Sequence, residues 1–523
     1  MQDTGMKKRI FIATFISFIF FMMYDYLFIQ PNMQQTQPTQ NTTQQTTNTK
    51  NNKPAATTQK LDSKVIATIK SENFEIQIDS LGRISQYILE KNIFNDSKGD
   101  KLHILSDKLP KVLELRFKDQ NLNQEAFSTP VTIDKTDVTL DGKPKTIKIT
   151  QKLKSLTITK ILTFYPDGHY DIKIDMTKDV PYFIAVGRVS AEVNMYAFHG
   201  ALLVNADGSL EMIDDGDGES KTFKDIKIAA LVDQYYTTFL YDLKNGMTVY
   251  ETIDNIENKN PELYVEGKQH ITLNGYIGPK YVKVLDSINP ELTKVVEYGI
   301  MTFMAKPMFA VLYKLYEITK NWGVAIILFV VLVRIILFPL TYRGMASMYK
   351  MKLLAPKMKE LKEKYGKDPR KFQMKLMEIY KKEKVNPLGG CLPMLIQIPI
   401  FFAIYRVLVN AIELKGASFL WIHDLSSMDP YFILPVLMGV TMYAHQVITP
   451  NNFTDPMQEK IFKFLPVIFT FFMATFSAGL VLYWTVNNIL SFIQQYIINK
   501  SMEAKGLIIK DETPKEPKKG NKK

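Results

Sequence analysis

Apolar runs long enough to cross a membrane are concentrated in the second half of this chain. A bilayer core about 30 Å thick needs roughly 20 consecutive apolar residues. One such run begins at Ile10, and the others lie at 322–341, 386–412, 431–449 and 461–499. A helix over the last run would be about 57 Å long at 1.5 Å per residue, so we predict a hairpin near residues 476–479. The pattern therefore predicts six membrane-spanning helices.

The first apolar run has the features of an uncleaved anchor. Lys7, Lys8 and Arg9 precede it, as in a secretory signal, but no small-residue A-x-A cleavage site follows. We therefore predict an N-terminal signal-anchor helix over residues 1–30. The stretch that follows is rich in Gln, Thr and Asn and has almost no apolar side chains, which predicts a flexible tether over residues 31–62.

A period-two alternation of apolar and polar residues dominates the rest of the first half. In NFEIQID it places Phe74, Ile76 and Ile78 on one face, and in ILTFYPDGHYDIKID two alternating strands flank a Pro-Asp-Gly turn. The only cysteine of the chain is Cys391, so no internal disulfide supports this domain, and it must rest on a hydrophobic core. The sequence predicts an antiparallel β-sandwich over residues 63–290.

Charge in the loops predicts how the spans are oriented. Residues 342–384 carry fourteen Lys or Arg and five acidic residues, whereas residues 413–430 carry one Lys and three acidic residues. By the positive-inside rule, the first loop is cytoplasmic and the second is periplasmic in a bacterial cell, as is the β domain. Both termini are then cytoplasmic. The segments not yet named are an interfacial amphipathic helix at 291–321, a cytoplasmic helical hairpin at 342–385, a periplasmic loop at 413–430, a cytoplasmic loop at 450–460 and a basic tail at 500–523.

Motifs for nucleotide, metal or covalent chemistry are absent from the sequence. No G-x-x-x-x-G-K-[ST] phosphate loop occurs, and the six histidines show no metal-ligand spacing, so we predict neither a cofactor nor a bound metal. Cys391 has no histidine nearby in the sequence, and we interpret it as a small packing residue rather than a nucleophile. The chain is predicted not to be an enzyme, and we predict no DNA partner.

Arg334 lies near the middle of the otherwise apolar run 322–341. A charge at this depth costs about 2.5–3.5 kcal/mol on insertion scales, unless it reaches water or has a use. One interpretation is that the arginine extends toward the inner headgroups. The alternative rests on polar residues in other spans, namely Gln397, Thr485, Asn487 and Asn488. Polar groups of different helices lower their cost by facing a shared wet cavity, so we predict an inward-facing hydrophilic groove lined by Arg334 and these residues.

Six methionines lie among the lysines of the predicted cytoplasmic hairpin. They are Met345, Met348, Met351, Met358, Met374 and Met377. Flexible thioether side chains suit a surface that accepts varied hydrophobic partners, so one interpretation is a surface that captures client segments. The other is an ordinary charged hairpin packed on itself. The lysine excess would face acidic headgroups or ribosomal RNA, because phosphate charge dominates such binding.

Several stretches of the second half resemble the YidC/Oxa/Alb family of membrane insertases. They are KVNPLGGCLPMLIQIPIF, WIHDLSSMDPYFILPVLMGVTM, DPMQEKIFKFLPVIFTFF and SAGLVLYW. The resemblance runs from Trp322 to about Lys505 with high specificity. The anchor, tether and β domain agree with the family in layout, including NGYIGPK at residues 274–280, but their motifs are weaker.

The resemblance implies an insertase that places newly made proteins in the inner membrane and helps them fold, without covalent chemistry. In the family, five core spans surround a positively charged groove that is open to the cytoplasm and to lipid. Arg334 matches the groove arginine, and Gln397 matches a groove polar position. Phe401, Phe472 and Trp484 match positions that line the client's path.

The resemblance also implies binding partners, and the sequence differs from a relative at two positions of the groove. The implied partners are nascent inner-membrane proteins, the Sec translocon and its accessory subunits, the ribosome through the basic tail and loops, and the lipid bilayer. Trp484 stands where a relative has tyrosine. Val330 stands where that relative has a polar residue, so Val330 is given no polar role.

Other classes of function remain as alternatives. A transporter or channel would use an intramembrane charge and proline-broken helices, but the sequence shows no internal repeats and no acidic partner for Arg334. An enzyme acting on lipid or lipoprotein would have to use Cys391. A purely structural periplasmic anchor would leave the polar residues of the spans unexplained.

Overall fold

The chain folds into two units. The computed structural model describes residues 64–94, 99–108, 110–189, 197–255, 257–366, 368–383, 392–449 and 456–506. A β unit extends to Glu297 and also includes Asn410–Glu413, while a helical unit comprises Tyr298–Val409 and the chain from Leu414 onward. The predicted anchor, the tether, Cys391 and the tail beyond residue 506 lie outside the described residues.

The β unit is built from strands that pair almost entirely antiparallel. Its strands are β1 (Val65–Lys70), β2 (Phe74–Asp79), β3 (Ile84–Leu89), β4 (Leu115–Phe117), β5 (Thr132–Ile133), β6 (Asp137–Thr139), β7 (Lys145–Lys152), β8 (Thr157–Phe164), β9 (His169–Met176), β10 (Tyr182–Ala185), β11 (Gly200–Asn205), β12 (Leu210–Asp214), β13 (Thr222–Val232), β14 (Tyr236–Tyr241), β15 (Met247–Ile253), β16 (Pro261–Glu266) and β17 (His270–Pro279). Two helices, α1 (Gln120–Ser128) and α2 (Val282–Ile288), belong to the same unit.

These strands form two sheets. The smaller sheet has the order β3-β2-β1-β6, and its β1–β6 pair is parallel. The larger sheet follows the path β4-β10-β16-β15-β13-β14-β17-β9-β8-β7-β5, with β11 paired to β13 and β12 paired to β11. The prediction of a β-sandwich built from antiparallel sheets is confirmed.

Alternating burial along the strands produces the core of this unit. Phe74, Ile76 and Ile78 are 2%, 1% and 0% exposed, because successive side chains of a strand point to opposite faces. The predicted Pro-Asp-Gly turn connects β8 to β9, and Gly168 adopts φ +95° there. A Cβ on Gly168 would lie 2.8 Å from the carbonyl oxygen of Ile277, so both the conformation and the space require glycine.

Buried charges of the β unit are engaged by neighbours from both sheets. Arg83 pairs with Asp79 and with Glu114, each at 2.8 Å. Lys160 on β8 donates to two backbone carbonyl oxygens at 3.0 and 2.9 Å. Burial lowers the pKa of the Lys160 ammonium group to about 8. Buried charges are tolerated only with such partners, since an unpaired one would carry the full cost of its desolvation.

The helical unit consists of long helices separated by short connections. They are α3 (Thr302–Thr319), α4 (Trp322–Leu353), α5 (Ala355–Tyr365), α6 (Pro369–Lys382), α7 (Leu392–Asn410), α8 (Ile433–Ile448), α9 (Pro456–Met473) and α10 (Ala478–Ala504). Helix α4 begins where the side chain of Asn321 accepts a hydrogen bond from the Val324 N–H at 3.1 Å, an N-cap that satisfies one of the free donors of the first turn. The predicted hairpin near residues 476–479 falls between α9 and α10.

Two helix boundaries differ from the predicted ones. Helix α4 continues to Leu353, beyond the predicted membrane span 322–341, so the first methionines of the predicted hairpin lie on the same helix as that span. The predicted interfacial helix at 291–321 becomes regular only from Thr302, after 3₁₀ turns at Pro290–Val295 and Gly299–Met301. Gly299 has φ +62°, which is incompatible with a continuous right-handed helix.

Within the described ranges, α4 is the one helix long and apolar enough to cross a membrane by itself. Shorter apolar helical segments run from Gln397 to Asn410 and from Ile433 to Ile448. The arrangement of six spans therefore stays a prediction.

Candidate functional site

Arg334 is a buried cation on the apolar helix α4. It is 9% exposed, and its guanidinium group contacts α10. Nε donates to Oδ1 of Asn487 at 3.0 Å, and Nη2 donates to the same oxygen at 2.7 Å and to the Asn487 carbonyl oxygen at 3.1 Å. One residue of α10 thus holds two of the three guanidinium nitrogens.

Two further polar groups of α10 complete this set of contacts. Nη1 of Arg334 donates to Oε1 of Gln494 at 3.2 Å, and Nη2 also contacts the hydroxyl of Ser491. Asn487, Ser491 and Gln494 have the spacing i, i+4, i+7, which places them on one face of the helix. Every described hydrogen-bond partner of Arg334 is neutral, so four of its five N–H groups are engaged while its positive charge is not cancelled.

The other predicted groove residues make separate contacts. Nε2 of Gln397 donates to the hydroxyl of Tyr483 at 3.4 Å, and the hydroxyl of Thr485 donates to the carbonyl oxygen four residues earlier at 2.8 Å. Asn488 is 8% exposed, and its Nδ2 finds no acceptor among the described residues. The described hydrogen bonds of Arg334 therefore involve none of these three residues.

The partners of Arg334 were only partly visible in the sequence. The sequence pattern indicates Asn487 as a polar residue of its span, but it does not indicate Ser491 or Gln494. The available signal was the i, i+4, i+7 spacing of polar residues in an apolar run, which predicts one polar face on a helix. The spacing alone does not identify the opposite helix, and so it could not link these residues to Arg334.

The three predicted path residues belong to one aromatic cluster. The ring of Phe401 on α7 meets the ring of Trp484 on α10 edge to face, with centroids 4.5 Å apart. Phe469 on α9 stacks on Trp484 at 5.5 Å and contacts Phe472 at 6.3 Å. Phe472 in turn contacts Phe476 at 5.0 Å. Phe469 and Phe476 are thus two members of the cluster that the sequence analysis did not single out.

The six methionines differ in exposure. Met345 is 7% exposed and packs with Tyr349, Ile498 and Met502 between α4 and α10. Met348, Met351 and Met358 are half-buried. Met374 and Met377, one turn apart on α6, are 61% and 52% exposed. Among the described residues of the hairpin, only this last pair presents large apolar side chains on the surface.

The described residues contain no group of three or more His, Cys, Asp or Glu side chains arranged to hold a metal ion. The polar groups around Arg334 are amides and a hydroxyl, which donate and accept hydrogen bonds but are not poised for acid–base or nucleophilic chemistry. The arrangement can hold a positive charge inside an apolar helix layer and offer it to a negatively charged group.

Comparison with known proteins identifies the family. The family model described as 60Kd inner membrane protein matches residues 314–505, and that of the YidC periplasmic domain matches residues 66–311. The chain is 47% identical over 520 residues to the membrane protein insertase YidC of Wolinella succinogenes, covering 96% of each chain. This chain belongs to the YidC family of membrane protein insertases.

Other members of the YidC family agree over nearly the whole chain. The protein from Campylobacter jejuni is 48% identical and covers 94% of this chain and 96% of its own length. The protein from Helicobacter pylori strain 26695 is 48% identical, with coverage of 97% and 98%. An overlay on a crystal structure of an active YidC insertase covers 83% of this chain and 95% of that chain, at 20% identity and a TM-score of 0.37.

Membership in the YidC family confirms two predictions. Its members are insertases, so the chain is not an enzyme. The matches also make it an inner-membrane protein with a periplasmic domain, which is the β unit.

Proposed function

We propose that this protein inserts newly synthesised proteins into the bacterial inner membrane and helps them fold, using a hydrophilic groove around Arg334. The observation that carries the proposal is the buried guanidinium group, whose hydrogen-bond partners among the described residues are all neutral. A cation kept uncancelled inside an apolar helix layer is costly, and a use for its charge explains its presence. The relatives described as membrane protein insertases support the same function.

The driving force for insertion comes from the client. A client span of about 20 apolar residues at −0.3 to −0.6 kcal/mol each gains roughly 6–12 kcal/mol on entering lipid. This gain offsets the transfer of a short polar tail if the tail has less hydrocarbon to cross. A groove hydrated from the cytoplasm to mid-membrane shortens that path, so no nucleotide is needed.

Each group of residues has a role in this scheme. Arg334 attracts an acidic tail as it enters, and the polar side chains of Gln397, Thr485 and Asn488 keep the groove wet. The aromatic cluster that contains Phe401 and Trp484, together with Phe472, gives the apolar client segment a path toward lipid. The exposed methionines on α6, Met374 and Met377, form the outer part of a surface that captures client segments. The other four methionines either contact the client there or pack beneath that surface.

The topology and the partners complete the proposal. We place five core spans at 322–341, 386–412, 431–449 and the 461–499 hairpin, with the anchor at 1–30 as the sixth and both termini in the cytoplasm. The basic hairpin and tail then face the ribosome and anionic headgroups. The periplasmic domain at 63–290 is the part available to Sec accessory subunits, since the protein works alone or beside the Sec translocon.

Insertion into liposomes that contain only the purified protein tests this function. The client is a small single-span protein with a short acidic tail, and insertion is scored by protease protection. We expect protection well above that in protein-free liposomes without any nucleotide. Equal protection in both kinds of liposome, with folded protein and a competent client, would contradict insertase activity by this chain alone. Flux of small solutes through the same liposomes would instead support the transporter alternative.

A further inference from the structure

The loop between α7 and α8, together with the first residue of α8, carries a cluster of large apolar side chains on its surface. These residues are between 44% and 74% exposed, and we call them the apolar patch: Leu420, Met428, Tyr431, Phe432 and Ile433. Exposed apolar residues are ordinary when they are scattered singly, whereas a contiguous group of them marks an interaction site. The patch has no role in the scheme proposed for Arg334 and the aromatic cluster.

Asp429 holds the two ends of the apolar patch in one fixed arrangement. It is 2% exposed, and its Oδ1 accepts hydrogen bonds from Nε1 of Trp421 and from the N–H of Tyr431, each at 3.1 Å. Its Oδ2 accepts a hydrogen bond from the N–H of Leu434 at 2.7 Å. One buried carboxylate therefore connects the turn that carries Leu420 to the first turn of α8, so the patch is a single surface.

Two residues of the apolar patch adopt a backbone conformation that disfavours a side chain. Leu420 has φ +52° and Phe432 has φ +56°, in the left-handed region that glycine adopts without strain. Both residues are more than half exposed, so packing inside the protein offsets little of the cost of this conformation. A backbone outlier of this kind indicates a function for its side chain, and here that function lies outside the packing of the fold.

The loop also satisfies much of its own backbone. Oδ1 of Asp424 accepts hydrogen bonds from the N–H groups of Gly416 and Ser426, at 3.0 and 2.9 Å. Phe419 and Ile422 exchange two backbone hydrogen bonds, at 2.8 and 2.9 Å. Irregular backbone needs such internal partners wherever water is scarce, because an unsatisfied polar group is costly there. The loop is therefore suited to the surface of a membrane.

The position of the loop in the chain identifies the side of the membrane. The loop begins directly after Glu413, which belongs to the β unit, and the β unit is the periplasmic domain. At its other end the patch continues into an exposed apolar face of α8, on which Ile433, Val436 and Val440 follow the spacing i, i+3, i+7. We predict that α8 crosses the inner membrane, so this face meets lipid and the patch lies at its periplasmic end.

We propose that the apolar patch anchors the loop in the periplasmic leaflet of the inner membrane, with its side chains among the acyl chains and its backbone at the headgroups. Bulk water does not suit such a cluster of apolar side chains, and the hydrocarbon core does not admit a lipid-exposed irregular loop. The interface between them suits both, and tyrosine, here Tyr431, is favoured at that level. The proposal does not depend on the insertion of clients.

Spin labels on the full chain in liposomes measure the depth of the patch. Cys391→Ser removes the only native cysteine, and a nitroxide label is then attached to Leu420→Cys or to Phe432→Cys. The liposomes contain phosphatidylethanolamine and phosphatidylglycerol. The depth of each label follows from its collisions with oxygen, which dissolves in lipid, and with a nickel complex, which stays in water. We expect both labels about 5–10 Å below the headgroup boundary, the depth of an interfacial apolar face.

Three further labelled positions make the measurement decisive. His423→Cys, an exposed polar position of the same loop, is the matched control, and its label should stay at the level of water and headgroups. Val440→Cys lies two turns into α8, and its label should be deeper than those of the patch. If the variants at the two left-handed positions do not fold, Met428→Cys replaces them, because this exposed residue has no positive φ.

Two results would overturn the proposal. Patch labels that collide with the nickel complex as often as the label at position 423 would show that the patch faces water. Patch labels shielded from both oxygen and the nickel complex would show that protein covers the patch instead of lipid. In that case, magnetic broadening between labels that disappears on dilution with unlabelled protein would identify the cover as a second copy of this chain.

Discussion

The proposed function predicts that this protein prefers clients with acidic tails, and removing the charge of Arg334 is expected to abolish that preference. The guanidinium group donates to Asn487, Ser491 and Gln494, which leaves one hydrogen of Nη1 without an acceptor among the described residues. An entering carboxylate is therefore attracted mainly through the uncancelled charge. The perturbation is Arg334→Gln, which is polar and neutral.

The expected size follows from Coulomb's law. Two unit charges about 8 Å apart attract each other by about 2 kcal/mol at an effective dielectric constant near 20. This energy corresponds to a factor of about 30 in rate or affinity at low salt. The factor should fall only weakly as salt is added, because buried charges are screened much less than exposed ones.

The assay compares two clients that differ only in Asp or Asn residues of the tail. The measured quantity is the insertion rate of the acidic client divided by that of the neutral client. In liposomes this ratio should be about 30 times larger for the wild-type protein than for Arg334→Gln. Gln494→Glu is the matched variant, since it keeps the arginine and its contact at 3.2 Å but supplies a negative charge beside it. It should lose the preference as well. A preference that survives in both variants would refute the electrostatic role of Arg334.

Three further predictions concern stability. Asn487→Leu removes the acceptor shared by Nε and Nη2 of Arg334 and should destabilise the helical unit by about 1–2 kcal/mol. The loss is measured by unfolding in detergent, followed by tryptophan fluorescence. An unchanged unfolding midpoint would mean that these hydrogen bonds contribute no net stability. Gly323→Ala should lower the stability of the helical unit by about 1–3 kcal/mol in the same assay, because the new Cβ would lie 2.2 Å from ring atoms of Phe419. An equal or higher unfolding midpoint would contradict that packing. Lys160 has its pKa lowered to about 8, against 10.5 in the unfolded chain, so the unfolded state binds more protons between these values. The free energy of unfolding of the wild-type β unit, minus that of Lys160→Met, should therefore rise by about 1.4 kcal/mol per pH unit above pH 8. Both free energies are measured by circular dichroism. A difference that does not change with pH would show that the lysine is not desolvated.

The period of the hydrophobic pattern was sufficient to predict the elements of the β unit but not their order. The alternation around Phe74 and the turn at Gly168 are local, because strand faces and turn conformations depend on a few neighbouring residues. The pairing of β1 with β6 in parallel, and of β13 with β11, β14 and β15, depends on contacts between distant segments. Such contacts leave no periodic signal in the sequence.

The candidate site was predictable to a similar degree. The position of Arg334 is evident because a charge in an apolar run is rare, and its distance along the helix from Trp322 follows from helix rise alone. Its partners were not, since a polar face on α10 does not state which helix it meets. The predicted membrane span ends at residue 341, where the composition changes from apolar to basic, whereas helix α4 continues to Leu353, because the backbone hydrogen bonds of a helix form equally well in either environment.

Under the proposed function, the neutral partners of Arg334 explain how a buried charge is both stable and available to a client. A carboxylate partner would have satisfied the guanidinium group equally well, but the resulting ion pair would present little net charge to a client. Amide and hydroxyl oxygens satisfy the same donors through their dipoles and leave a full positive charge in place. Each neutral partner binds the guanidinium group more weakly than a carboxylate would. The protein compensates by using three residues of one helix face instead of one. Because Asn487, Ser491 and Gln494 lie on a single rigid helix, they also fix the direction of the charge before any client arrives.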